Sequence, residues 1–167
     1  MIRLLTLDEV DEYIQGDPVR PHLTAEFRTT VGRQVWGLFE DQYAVAHTPS
    51  TQALAVICVA YTNAAPTNEI ELDWFSSASG SGAVTTDTAV FYTVWSYSKG
   101  AGQTIVNSVA EHIRNTRPEV SRWVTLSPLT TMAERFHLKN GAQFVDRYPT
   151  DQTFEYTHLM QDVFIQN

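Results

Sequence analysis

The chain is short of cysteine, of basic residues and of long apolar runs, and each shortage removes a class of protein. Its 167 residues include one cysteine, Cys58. A single thiol builds no internal disulfide framework and supplies no Cys-rich zinc cluster. Cys58 sits among Val56, Ile57 and Val59 and reads as a core filler rather than a nucleophile. The histidines are equally unpromising as metal ligands. Neither His-x-x-x-His nor His-Glu-x-x-His occurs, and His22, His47, His112 and His158 have no ligand-like spacing, so no metal site is expected. Lysine and arginine number 11 against 19 acidic residues, a formal net charge of −8. A field of that sign repels phosphate backbones and disfavours nucleic acid as a partner. The arginines (Arg20, Arg28, Arg33, Arg114, Arg117, Arg122) are scattered, although a local basic groove stays open. No uncharged apolar window approaches the roughly 18 residues of a membrane span. The opening residues 1–8 have too short an apolar run for a signal peptide. The expectation is a soluble cytoplasmic protein, in a host's cytoplasm if virus-encoded.

What is present is enough for a core: 43% hydrophobic and 11% aromatic residues. The length fits one domain over residues 1–167, with no solenoid repeat and no long linker. Oligomeric state is open between monomer and homodimer. Residues 2–7 read as an opening strand and 8–15 as a short helix capped by Asp8. Two prolines, Pro18 and Pro21, keep residues 17–22 irregular. Residues 34–40 and 53–61 read as strands, the second apolar enough to be buried on both faces. Residues 69–75 alternate acidic and apolar side chains, which predicts a half-exposed strand, and 76–83 read as a flexible loop.

The second half is more regular. Residues 89–97 form a β-branched and aromatic strand, followed by a tight loop over 99–103. Ile105, Val106, Val109, Ala110 and Ile113 then trace one face of a helix that Pro118 closes. Residues 122–126 are a strand ended by Ser127-Pro128. Thr130 or Thr131 caps a short helix with Met132, Ala133 and Phe136 on its inner face, stopped at Asn140-Gly141. Residues 144–148 and 153–160 close the chain as strands. The sum is an α/β chain.

A strand entering Gly-x-Gly and then a helix turns several backbone N–H groups toward one point, and the positive end of the helix dipole suits a phosphate or pyrophosphate. An ordinary tight turn would use the same glycines. The run Tyr97-Ser-Lys-Gly100-Ala-Gly102 resembles motif A of the GNAT acyltransferase superfamily, whose pattern is Gln/Arg-x-x-Gly-x-Gly/Ala. Gly100 and Gly102 match; Tyr97 stands where Gln or Arg is usual. The resemblance implies a single GNAT-like domain, with a mixed, mostly antiparallel sheet splayed at the CoA-binding strand and helices on its flanks. It implies acetyl-CoA or another acyl-CoA as co-substrate. Thr93, Val94, Trp95 and Ser96 would meet the pantetheine arm, and Lys99, Gly100, Ala101, Gly102, Gln103 and Thr104 the diphosphate.

The segments Val124-Thr-Leu-Ser-Pro128 and Arg135-Phe-His-Leu-Lys-Asn-Gly-Ala142 are similar to the C-terminal catalytic part of malonyl-CoA decarboxylases. That resemblance matches the family's catalytic serine and histidine to Ser127 and His137. It implies an acyltransferase, most simply an N-acetyltransferase with an unidentified acceptor, and as alternatives a decarboxylase at the same site or a catalytically inactive binding module. In the transferase reading His137 protonates the departing thiolate, its unperturbed pKa of about 6.5 suiting the task. Without the family, Ser127 reads as the end of a strand and His137 as a satisfied buried histidine. Glu69, Glu71 and Asp73 are candidate bases for the acceptor, against the plainer reading of a solvated strand face.

Overall fold

The computed structural model describes residues 1–40 and 52–159. Its elements run β1 (Ile2–Leu4), α1 (Leu7–Tyr13), α2 (Ala25–Thr29), β2 (Arg33–Leu38), β3 (Ala55–Thr62) and α3 (Glu69–Gly80). They continue with β4 (Thr88–Ser96), α4 (Ala101–Thr116), β5 (Arg122–Thr125), β6 (Ser127–Pro128), α5 (Thr131–Lys139), β7 (Gln143–Arg147) and β8 (Asp151–Glu155). One sheet carries them in the order β1-β2-β3-β4-β5-β8-β6, with β7 also on β8. Every pairing is antiparallel except β4 with β5. This is the mixed, mostly antiparallel α/β architecture expected. None of the described helices is long and apolar enough to cross a membrane.

β3 is buried along its whole length because both faces of the sheet are covered. Ile57, Val59 and Tyr61 join one core with Ile105, Val109 and Ile113 of α4. Val56, Cys58 and Ala60 join the other, under α1, α2 and α3, so Cys58 is indeed core.

Several elements differ from the sequence expectation. Residues 69–75 are helix, not strand. Asn68 accepts the Glu71 amide at 2.8 Å while the Glu71 carboxylate takes the Thr67 amide at 2.8 Å, a reciprocal cap that outweighs the alternation. The buried residues of α3, Leu72 and Ser76, are four apart, the helical period. The helix runs on to Gly80, through most of the predicted loop. Thr6, not Asp8, caps α1, with Glu9 completing a capping box. α2 was not foreseen, and Thr24 caps it. The last strand stops at Glu155 and Thr157–Leu159 forms a 3-10 turn; Met160 lies outside the described residues, as does His47.

Candidate functional site

A cleft of about 350 Å3 opens where β4 leaves β5. The two strands pair in parallel from Thr88 opposite Arg122 to Phe91 opposite Thr125, and Leu126 still donates to the Phe91 carbonyl at 3.1 Å. Beyond Phe91 no ladder joins them. On the other edge of β4, Cys58 pairs Thr93 and Val59 pairs Phe91, leaving Tyr92 as an inserted bulge residue. A bulge bends its strand and sharpens the twist, and it coincides with the point at which β4 parts from β5. It also slips the side-chain alternation: Phe91 and Val94 pack on the α4 side, Tyr92 and Trp95 on the other.

Thr93, Val94, Trp95 and Ser96 line the cleft, and so does Gly102. Lys99, Gly100, Gln103 and Thr104 are exposed around the first turn of α4, beside the cleft rather than in its wall. Ala101 is buried in the core and its amide bonds Ser98, while Thr104 turns both its amide and its hydroxyl to the Gly100 carbonyl. The helix begins at Ala101, inside the predicted loop. α1, α2, α3 and α5 each start on a side chain that accepts an amide; α4 alone among the described helices starts on a glycine with no side-chain cap. Among the described residues no acceptor takes the amides of Gly102 and Gln103, and free amides at a helix N-terminus are the groups that an anion can use. Gly100 sits at φ 81°, a conformation glycine adopts without strain. Gly102 has a different reason: a Cβ there would press on the Phe136 ring of α5.

Ser127 and His137 stand in the same wall. Ser127 is buried and bonds the Thr125 hydroxyl at 2.9 Å. His137, 7% exposed, stacks on Phe154 and lies edge-on to Phe136. Its Nδ1 is 2.8 Å from the Tyr156 hydroxyl, which also accepts from Asn140 at 3.3 Å. In the tautomer in which the buried Tyr156 hydroxyl donates to Nδ1, the ring proton lies on Nε2. Tyr156 carried no sequence signal as a partner of His137. Burial lowers the imidazole pKa to about 4, with no charged neighbour to oppose it. At neutral pH the ring is therefore an uncharged N–H donor, not the ready imidazolium that an ordinary histidine pKa implies. Met132 is 82% exposed and lines the open cleft, so it is no part of the inner face of α5.

The three acidic candidates are elsewhere. Glu69 bonds Arg20 and His22, Glu71 caps α3, and Asp73 pairs with Arg33 at 2.7 Å. None lines the cleft, and no other aspartate or glutamate among the described residues does.

No family model matches the sequence, and no curated protein matches it. Solved structures do. The Rhodopseudomonas palustris malonyl-CoA decarboxylase superposes over 93% of this chain with a TM-score of 0.61 at 17% identity. Arabidopsis thaliana NAA60 in complex with acetyl-CoA covers 93% of this chain and 97% of its own at a TM-score of 0.59 and 12% identity. AtaTR bound with AcCoA gives 95%, 94%, 0.56 and 14% in the same terms. The chain has the GNAT fold. It spans 59% of the decarboxylase chain. Identities this low carry the fold and not the reaction.

Proposed function

We propose that the protein binds an acyl-CoA in the β4–β5 cleft and transfers the acyl group to an acceptor. The observation that carries this reading is the coincidence, at one cleft, of a half-unpaired strand, an uncapped helix N-terminus and a buried neutral histidine. The diphosphate would accept from the Gly102 and Gln103 amides, with Lys99 nearby as a counter-charge. The pantetheine amides would pair with the free edge of residues 93–96. The thioester would then lie by His137. The acceptor's lone pair forms a bond to the thioester carbon, the C–S bond breaks with its electron pair on sulfur, and the proton shed by the acceptor passes through solvent to the thiolate. A neutral Nε2–H, held by Tyr156, stabilises charge developing on oxygen or sulfur without first losing a proton. The GNAT-fold neighbours solved with acetyl-CoA support the choice of co-substrate.

Decarboxylation at the same site is favoured by one observation: the cleft offers Ser127 and His137 and no carboxylate to deprotonate an ammonium acceptor. Losing CO2 from a malonyl thioester needs no such base. The C–C bond to the carboxylate breaks and releases CO2, its electrons form the thioester enolate that an N–H donor at the oxygen stabilises, and a proton from solvent adds to the α-carbon to give acetyl-CoA. Incubation with malonyl-CoA alone, followed by assay of acetyl-CoA, separates this from acetyl-CoA consumption that requires an added amine. In either case His137→Ala should lower turnover about 100-fold or more while acetyl-CoA affinity changes little. Binding without turnover of either ester would make the protein a binding module.

A further inference from the structure

On the α1–α3 side of the sheet the Arg20 side chain bridges β4 and β5 where they part. It is 4% exposed and comes from the irregular 17–22 segment whose residues Pro18 and Val19 line the cleft. Its Nε donates to the Tyr92 carbonyl at 3.0 Å and one terminal nitrogen to the Leu126 carbonyl at 3.0 Å. Tyr92 is the bulge residue of β4, and Leu126 is the residue at which β5 parts from it. The guanidinium thus takes an acceptor from each diverging strand at the point where their ladder ends. Asp151 of β8 and Glu69 of α3 balance its charge at 2.8 and 2.6 Å. Burial would raise the Glu69 carboxyl, but the hydrogen bonds from His22 and Arg20 outweigh it and hold Glu69 below the ordinary carboxylate range. Arg20 is itself fixed: Asp17 accepts its amide at 3.0 Å, and Arg28 donates to its carbonyl.

We propose that Arg20 is a positioning residue, a polar wedge that keeps β4 and β5 apart so that the edge of residues 93–96 stays free for a ligand's amide chain. The role as a wedge stands on geometry alone; its service to a pantetheine arm rests on the acyl-CoA reading above. Without the guanidinium, the Tyr92 and Leu126 carbonyls each lose a buried donor, and a strand pairing that supplies amides would replace it.

Hydrogen–deuterium exchange on Arg20→Met, with Arg20→Lys as the conservative variant, tests this without any ligand. Those amides of 93–96 that face away from β3 should become at least tenfold better protected in Arg20→Met and remain near wild type in Arg20→Lys. Unchanged or weaker protection would overturn the wedge. If Arg20→Met does not fold, Arg20→Met combined with Glu69→Gln and Asp151→Asn removes the two stranded carboxylates, and the same criterion applies. Calorimetry with acetyl-CoA is the second arm. A tenfold or greater loss of affinity in the variant that closes the strands supports the link to the ligand, and affinity within twofold of wild type breaks that link. Wild-type protein that fails to bind acetyl-CoA sinks the acyl-CoA reading, while exchange still decides the wedge.

Discussion

The two faces of the sheet are held by different physics. On the α4 face, Ile105, Val109 and Ile113 press on Ile57, Phe91 and Trp123, and the buried titratable group that borders the cleft, His137, is kept neutral by burial. On the α1–α3 face, Arg20, Arg28 and Arg33 are buried as charges and answered by Asp151, Asp17 and Asp73. The apolar face supplies rigidity that tolerates graded trimming. The charged face supplies positional exactness, since a guanidinium satisfies several groups at fixed angles, and breaks sharply when one partner goes.

The largest effect should come from breaking the charged face. The Arg28–Asp17 pair has no exposed side-chain surface, so Arg28→Met should cost about 4 kcal/mol in chemical denaturation by stranding a buried carboxylate. Adding Asp17→Asn should recover much of that loss. On the apolar face Ile105→Ala should cost about 3 kcal/mol, with no second substitution to rescue it. Equal behaviour of the two sites would erase the distinction.

His137 sharpens the contrast through pH. Its folded pKa of about 4 lies below the unfolded value near 6.5, so between those pH values the unfolded chain binds a proton that the folded chain refuses. Stability contributed by the neutral ring is complete above about pH 6.5 and is lost as pH falls toward 4, by about 2.5 kcal/mol at pH 4.5. Denaturation curves of wild type and His137→Gln at pH 7.5 and 4.5 should differ by that amount; a parallel pH dependence would contradict the buried neutral ring. The smallest effect expected is that of Thr130→Ala, which removes the α5 cap and should cost about 1 kcal/mol in the same measurement.

The same contrast explains what could be read in the sequence. The face of α4 was legible because apolar residues recur at 3 and 4, and β3 because its apolar run needs cover on both sides. Gly100, Gly102 and His137 stand out in the sequence by their spacing and the family patterns they resemble, and the structure brings Gly102 and His137 to one cleft. Arg20, Arg28 and Arg33 do not stand out, because nothing local distinguishes a buried arginine from a surface one. The partners of Arg20 lie 49 and 131 residues away. Nor does sequence mark the bulge at Tyr92, a product of register between β3 and β4. Residues 69–75 misled because acidic residues on a capped first turn of a helix can mimic strand alternation.

The central claim is that one ligand reaches from the first turn of α4 into the cleft beside His137. Backbone-amide NMR during titration with acetyl-CoA tests it most directly. The account predicts saturable shifts at Gly102, Gln103 and residues 93–96, extending to His137. Shifts confined to other surfaces, or none at saturating acetyl-CoA, would contradict it.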